Sequence, residues 1–209
     1  MKNYLLLIII VLGSNIYAQK EKVKSGTVDF LKGQSKMKVI FDYSNLKINA
    51  DSITEAEYVQ KKIVDLNGKN AGNGDIWNDK WTGAKESIWE PKFMELLTKY
   101  GAKSTGISFS ENATDAPYTM IVKVDWIYPG WDAFVMKQAA KVSTTITIVD
   151  SNNFEDKKFV INYKEAPGTQ FGNNYSDESR IGEGFAKTAK TFSKMLEKKI
   201  KSVSYTHLT

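Results

Sequence analysis

The chain has no cysteine. This absence excludes thiol catalysis and disulfide bonds, although disulfides are common outside the cytoplasm. It also excludes a lipoprotein, because the lipid of such a protein is attached to a cysteine directly after the signal-peptide cleavage site. Zinc sites are built from cysteine and histidine as a rule, and the only histidine is His207. We therefore expect no metal site, and no serine–histidine–aspartate triad if His207 belongs to a tail that is sequencing read-through, as interpreted below.

Arginine is nearly absent as well. Arg180 is the only arginine among 29 basic residues, against 24 acidic ones, and the net charge is +5. Arginine is the preferred residue for contacts with base edges and for bidentate contacts with phosphates, so the sequence predicts no nucleic-acid partner.

Nucleotide-binding motifs are also missing. The chain has no GxxxxGK[ST] loop, and Gly182-x-Gly184 lacks both a third glycine and a preceding strand. We predict no cofactor and no catalytic residues. Paired carboxylates such as Asp75 and Asp79 keep glycan cleavage open as an alternative.

Long apolar runs are confined to the N-terminus. Lys2 precedes an apolar run over Tyr4–Leu12, and a small residue, Ala18, stands before Gln19. This arrangement is typical of a secretory signal peptide, and it predicts cleavage after Ala18. An uncleaved anchor is the alternative, but the run is short for a membrane-spanning helix. We expect a periplasmic or secreted protein with no transmembrane segment in the mature chain.

Two segments with two-residue alternation dominate the rest of the sequence. The first runs from Tyr118 to Tyr128, the second from Lys141 to Val149, and a Pro-Gly turn lies between them. Alternating β-branched, aromatic and polar residues are typical of half-buried antiparallel strands. We expect this pair to form the centre of the sheet. The residues expected to share one face are Tyr118, Met120, Val122, Val124, Trp126 and Tyr128 in the first strand and Val142, Thr144, Ile146 and Ile148 in the second.

Three shorter strands and three helices flank the central pair. The strands are predicted over Met37–Tyr43, Thr105–Ser110 and Lys158–Lys164. The first helix begins at a capping box whose register the sequence leaves open, because Ser52 with Glu55 and Thr54 with Glu57 both have the required spacing.

The other two helices have amphipathic patterns. The second is predicted over Ala84–Tyr100, with a new first turn at Pro91 and a cap at Gly101. The third opens at Ser176 and has an apolar stripe opposite a lysine-rich face. That face could bind an anionic membrane or polymer, or it could simply be exposed to water. The sequence favours the second interpretation.

A Gly/Asn-rich segment over Asn67–Gly83 contains two tryptophans, Trp77 and Trp81. Three interpretations compete for it. A calcium loop is one, but the EF-hand spacing of glycine and glutamate fails. An exposed platform that stacks on sugar rings is the second. A long loop held to the domain by two buried indoles is the third, and we favour it.

The turn between the two long strands is a candidate binding surface. It reads YPGWDAF from Tyr128 to Phe134, and it places Trp131 and Phe134 where a connection is normally polar. Exposed aromatic residues on a projecting loop are common binding anchors. The alternative is that they fold back over the sheet edge or against the segment containing Trp77 and Trp81.

The segment DAPYTMIVKVDWI resembles a strand of an envelope domain family. In that strand Ala-Asp-Tyr precedes an apolar run, whereas this chain has Ala116-Pro117-Tyr118. The family includes the TolB amino-terminal domain and curli-secretion-factor type domains, and the similarity extends over residues 37–201. It implies an α/β fold with a terminal amphipathic helix. It carries over no catalytic residues, and the chain departs from the lipid-anchored members by lacking the cysteine.

The predicted organisation is a signal peptide over residues 1–18, a leader over 19–36, and one domain over 37–202. The tail over 203–209 matches a reading frame of a transposase adapter used in library preparation, so we interpret it as sequencing read-through; a natural tail is the alternative.

The fold class is α/β (α+β), with a mixed, mostly antiparallel sheet of about five strands and three helices packed on it. We expect a non-catalytic protein that binds a protein partner in cell-envelope assembly or maintenance. A glycan-binding or glycan-cleaving protein that uses Trp77, Trp81 and Trp131 is the alternative.

Overall fold

The computed structural model describes residues 19–133, 136–168 and 176–205. The predicted signal peptide, Phe134 and His207 lie outside the described residues. The described chain folds as a large mixed sheet with helices packed on one face, which confirms the predicted class. In the described residues, no helix combines the length and the apolarity needed to cross a membrane.

The sheet has more strands than the five predicted. Its central order is β1-β10-β9-β6-β2-β5, while β3 pairs with β6 and with β4, and a separate hairpin pairs β7 with β8. The strands are β1 (Lys20–Gly26), β2 (Lys36–Asp42), β3 (Lys47–Ile48), β4 (Ile53–Thr54), β5 (Ser108–Ser110), β6 (Tyr118–Tyr128), β7 (Trp131–Ala133), β8 (Met136–Gln138), β9 (Ala140–Asp150) and β10 (Asn153–Gly168).

The strand pairings follow the predicted topology. β6 and β9 pair antiparallel over almost their whole lengths, which confirms the central pair. β2 pairs in parallel with β5 and with β6, as expected for a strand that is followed by helices before the chain returns to the sheet.

The sheet also begins earlier than predicted. β1 lies within the segment interpreted as a leader, and it pairs antiparallel with β10 from Lys20 to Gly26. All seven of its residues are exposed, so their sequence shows no buried alternation. An edge strand is held by backbone hydrogen bonds, which side-chain patterns do not reveal.

A bulge in β6 corrects the predicted face of two aromatic residues. Val124 pairs with Thr144, but the next pair is Trp126 with Ser143, so one residue of β6 is unpaired. The bulge reverses the alternation, and Ile127 joins the core in place of Trp126. Trp126 and Tyr128 therefore lie on the opposite face of the sheet from Val124.

The helices run almost without interruption between β4 and β5. They are α1 (Glu55–Lys69), α2 (Asn73–Ala84), a π-helical turn (Lys85–Trp89), α3 (Glu90–Leu96), a second π-helical turn (Leu97–Ala102) and α4 (Lys103–Thr105); α5 (Asp177–Tyr205) follows β10. Thr54 caps α1, and its capping box with Glu57 resolves the register that the sequence left open. The prediction of a cap at Gly101 is wrong, because Gly106, at φ 77°, ends the helical run.

The Gly/Asn-rich segment is helical, which corrects its prediction as a loop. α1 continues to Lys69, and α2 begins after Gly72, whose φ is 86°. Gly74 packs so closely on α1 that a Cβ there would lie 2.4 Å from the Ile63 carbonyl oxygen. Its N–H donates to the Asn67 Oδ1 at 2.7 Å. The glycine and the asparagine thus permit close helix packing here.

The core lies between the sheet and the helices. Met120, Val122, Ile146 and Ile148 of the central strands are fully buried. The predicted apolar stripe of α5 covers them. Its buried members are Ile181, Phe185, Ala189, Phe192 and Leu196. Among the described residues, the helices therefore cover one face of the sheet and no helix packs on the opposite one, which we call the open face.

Candidate functional site

The turn that follows β6 is built on a glycine that no other residue replaces easily. Gly130 has a φ of 70°, and a Cβ there would lie 2.3 Å from the Gln138 carbonyl oxygen. This close approach brings the hairpin of β7 and β8 against the end of β6.

One side chain fixes both described aromatic residues of the turn. The Gln138 Oε1 accepts a hydrogen bond from the Tyr128 hydroxyl at 2.9 Å and another from the Trp131 Nε1 at 2.8 Å. Trp131 is nevertheless 41% exposed. Its indole is held in place before any partner arrives, which lowers the entropy cost of binding.

The turn forms one wall of a cleft of about 610 Å³. α1 forms the facing wall, with Tyr58, Lys61, Lys62 and Val64, and Asp177 at the start of α5 closes one end. The pKa of Tyr58 is raised by burial and by the nearby carboxylates of Asp177 and Glu178, so its hydroxyl stays protonated at neutral pH. The cleft therefore offers both apolar and charged contacts.

Arg180 ties the start of α5 to the turn. It is only 3% exposed, its Nε donates to the Pro129 carbonyl oxygen at 3.2 Å, and its guanidinium pairs with Asp177. Asp177 also lies 3.7 Å from the Lys62 Nζ. A buried guanidinium needs such partners, so these contacts fix the wall of the cleft.

A second cleft of about 380 Å³ adjoins the first and shares Lys62 and Asp177 with it. Trp77 and Ile76 of α2 line this second cleft. The Lys62 Nζ lies 5.8 Å from the centre of the Trp77 ring, within cation–π range. One lysine thus lies between the two clefts.

Exposed apolar side chains gather around these clefts. Six large hydrophobic residues of the described chain are exposed, and four of them lie on the hairpin or line the clefts. The four are Val64, Ile76, Trp131 and Met136, with exposed fractions of 62%, 57%, 41% and 66%. We call this surface, with its two clefts, the turn surface.

The remaining predicted tryptophans belong to an aromatic cluster in and beside the core. Trp81 is 1% exposed, stacks on Trp77 at 5.3 Å, and donates from its Nε1 to the Glu55 Oε1 at 3.0 Å. Trp89 continues the cluster to Phe185 of α5. Trp81 is therefore a structural residue, which supports the buried-indole interpretation. Trp77 is half-buried, and Phe134 lies outside the described residues.

The sequence did not identify several residues of the turn surface. Gln138, Lys62 and Arg180 are ordinary polar residues in sequence, and only the folded chain shows their contacts with the turn. Arg180 alone carried a signal, since it is the single arginine of the chain. Val64 carried a second signal, because it is an apolar residue that lies outside the predicted apolar stripe of its helix.

The open face of the sheet is a separate surface with a different character. Registered pairs place Lys22, Asn162, Thr145, Lys123 and Asp42 in one row across five strands. A cleft of about 510 Å³ crosses this face near Trp126. This row and the cleft beside it are thus polar and contain lysines, whereas the turn surface is largely apolar.

In the described residues, no three histidine, cysteine, aspartate or glutamate side chains come close enough together to hold a metal ion. Asp75, within the segment for which a calcium loop was one interpretation, lies in the first turn of α2, where its Oδ2 is 3.5 Å from the Asn67 amide nitrogen.

Comparisons with known proteins add little to this geometry. No protein-family model matches the sequence, and no curated protein matches it. Two solved structures of the PelC dodecamer from Paraburkholderia phytofirmans are similar at 11% and 10% identity, each covering 84% of this chain and 98% of PelC, with TM-scores of 0.40 and 0.41. At these TM-scores the similarity supports no inference about function.

Proposed function

We propose that this chain is a non-catalytic binding protein of the cell envelope that contacts a protein partner through the turn surface. The observation that carries this proposal is that three exposed apolar side chains line two adjoining clefts and a fourth, Met136, lies on the neighbouring hairpin. Contiguous exposed apolar surface is uncommon on monomeric proteins and marks interaction sites. The surrounding charges of Lys61, Lys62 and Asp65 fit the polar rim of a protein interface.

Trp131 is the anchor of the proposed interface. Tryptophan is enriched among the residues that contribute most to binding, particularly where the ring is rigid and enters a partner's pocket. The hydrogen bond from its Nε1 to Gln138 supplies that rigidity. An interface centred on Trp131 and edged by Val64 and Met136 uses most of the exposed apolar area at this end of the molecule.

The turn surface fits a protein partner better than a sugar chain. The glycan alternative relied on Trp77, Trp81 and Trp131 together, but Trp81 is buried. The Trp77 Nε1 is also buried and has no hydrogen-bond partner within the described chain. These two indoles do not form the open platform that stacking on sugar rings requires.

The proposed compartment is the periplasm or the exterior. It rests on the signal-peptide pattern at residues 1–18 and on the resemblance to the TolB amino-terminal and curli-secretion-factor type domains. Mass spectrometry of the mature protein, with Gln19 expected as the first residue, checks it. A mature chain that begins elsewhere, or that stays in the cytoplasm, contradicts it.

Site-specific photo-crosslinking tests the interface. A photo-reactive amino acid at Trp131 should crosslink one defined envelope protein in the native cells. Phe154 is the matched control, because it is 48% exposed and lies beyond the other end of β9. Crosslinking of the same partner from both positions, or of none from Trp131, contradicts the proposal.

The Trp131→Ala variant separates binding from stability. The side chain is exposed and makes one hydrogen bond, so the variant should melt within a few degrees of the parent, a loss of about 1 kcal/mol or less. With the photo-reactive amino acid placed at Val64, which lines the same cleft, the parent should crosslink the partner and the Trp131→Ala variant should not. A large drop in melting temperature shows instead that Trp131 supports the fold.

A further inference from the structure

We propose that the open face of the sheet binds a carboxylated polysaccharide, such as a chain of uronic acid residues. The binding site is the cleft of about 510 Å³ in which Trp126, Ser143, Thr145 and Asn162 lie between lysines. This cleft is distinct from the two clefts of the turn surface, although Trp126 stacks on Tyr128 of the first, and the inference does not depend on the proposed protein partner.

Positive charge is the first observation behind this proposal. The six lysines of the open face outnumber its three carboxylates, Asp42, Asp125 and Glu165. The lysines placed there by strand register are Lys20, Lys22, Lys38, Lys47, Lys123 and Lys164. A surface with excess charge of one sign attracts a polymer of the opposite sign.

The carboxylates of this face are already engaged. The Asp125 Oδ2 accepts a hydrogen bond from the Thr145 hydroxyl at 2.6 Å, and its other oxygen lies 4.0 Å from the Lys123 Nζ. Asp42 accepts from the Ser44 N–H at 2.9 Å, and this hydrogen bonding lowers its pKa. The charge of both carboxylates is therefore partly satisfied by the protein.

Two lysines are available at the cleft itself. Lys47 and Lys164 line it, both are exposed, and within the described chain neither forms an ion pair. Glu165 also lines the cleft, but its Oε2 is paired with Lys141 at 2.8 Å. The two ammonium groups are thus free to pair with carboxylates of a bound chain.

Neutral polar groups between these lysines suit sugar hydroxyls. Thr145 and Asn162 are registered neighbours on adjacent strands, and the backbones of such strands lie about 4.8 Å apart. Ser143 lies on the same face, and its Oγ accepts from the Glu165 N–H at 3.0 Å. Hydroxyl and amide groups both donate and accept, which matches the mixed hydrogen bonding of a glycan.

Trp126 adds an aromatic surface in a fixed orientation. Its Nε1 donates to the Asn49 carbonyl oxygen at 2.8 Å, and its ring stacks on Tyr128 with centroids 6.2 Å apart. An indole combines a large apolar face with a polar edge, which suits the apolar face of a sugar ring. This tryptophan, which the sequence pattern placed toward the core, is brought to the open face by the bulge in β6.

Other occupants fit this face less well. A second copy placed by a two-fold axis would bring the same lysines together. A lipid surface requires large apolar groups beside the charges, and the cleft contains none of the exposed large hydrophobic residues. Nucleic acid is best held by arginine, and Arg180 is buried in α5.

Titration of the purified chain with polygalacturonate, with dextran as the neutral control, tests the proposal. We expect binding to polygalacturonate that weakens as salt is added, and no binding to dextran. A Lys47→Gln/Lys164→Gln variant should weaken the binding by ~10-fold or more, since each lysine near an anionic surface contributes on the order of 1 kcal/mol.

A Lys194→Gln/Lys198→Gln variant is the matched control. It removes the same charge from exposed lysines on the outer face of α5, and it should bind within about twofold of the parent. Both variants change only exposed side chains, so their melting temperatures should equal that of the parent.

Four results would overturn the proposal. The first is no binding to polygalacturonate, and the second is an equal loss in both double variants. The third is binding to vesicles of phosphatidylglycerol, or to single-stranded DNA, that exceeds binding to polygalacturonate and depends on Lys47 and Lys164. The fourth is concentration-dependent self-association of the parent that the Lys47→Gln/Lys164→Gln variant changes.

Discussion

The two faces of the central sheet come from the same strands but serve different purposes. On the covered face, Met120, Val122, Ile146 and Ile148 have no exposed surface and pack under α5. On the open face, Thr145 and its row neighbours are half-buried or exposed, and all are polar or charged. One face therefore carries the stability of the fold, and the other is free to carry chemistry at little cost in stability.

The largest effect expected from this contrast is at Trp89. Its side chain is fully buried, stacks on Phe185 at 5.8 Å, and donates from its Nε1 to the Glu178 carbonyl oxygen at 2.9 Å. Trp89→Ala should lower the free energy of unfolding by about 3–5 kcal/mol. Urea denaturation measures the change.

Trp126→Ala on the open face is the comparison for Trp89→Ala. Trp126 is half-buried and also makes one hydrogen bond to a carbonyl oxygen, so the residue type and the bond are matched. We expect a loss of about 1–2 kcal/mol from that bond and from partial burial. Equal losses at the two positions would show that the open face also contributes to the core.

The next effect concerns the central strands. Ile146→Ala and Val124→Ala should each cost about 2–4 kcal/mol, because both side chains are fully buried between sheet and helices. Thr147→Ala, one residue along β9 on the open face, should cost less than about 1 kcal/mol. Thermal melts of the three variants would contradict the assignment of faces if Thr147→Ala were the most destabilising.

The smallest effects are opposite pH dependences at two glutamates. Burial raises the pKa of Glu90, beside Tyr43 on the helix side, above its ordinary 4.5. The hydrogen bond from Lys141 lowers the pKa of Glu165, on the open side, below 4.5. Glu90 therefore contributes stability below pH 4.5 that is lost as the pH rises through its raised pKa. Glu165 contributes stability above pH 4.5 that is lost as the pH falls through its lowered pKa.

Glutamine variants test these two signs. Glu90→Gln should be more stable than the parent at pH 7, and the difference should shrink toward pH 4. Glu165→Gln should be slightly less stable than the parent at pH 7, and its deficit should shrink below pH 4.5. Melting temperatures between pH 3 and pH 8 measure both effects. If the two variants change the melting temperature in the same direction at pH 7, the opposite roles of Glu90 and Glu165 are contradicted.

The site was only partly predictable. The turn from Tyr128 to Trp131 was identified because aromatic residues are unusual in a connection, and the structure places both at one cleft. Gln138, which orients them, carried no signal, because its role depends on the pairing of β7 with β8. Trp126 was assigned to the wrong face, because one unpaired residue reverses an alternation and sequence periodicity does not show where a bulge falls.

The sequence by itself determined the elements with strong local periodicity. The alternation of β9, that of β6 as far as Val124, and the apolar stripe of α5 follow from side-chain geometry within single segments, and all three are where the pattern predicted them. The secondary structure of weakly patterned segments was decided only by the tertiary structure. The residues around Gly74 became helix because Trp81 gains a buried site in the aromatic cluster, and β1 became a strand because β10 offered an unpaired edge. Local propensity is worth only tenths of a kcal/mol per residue, so burial and backbone pairing with distant parts of the chain override it.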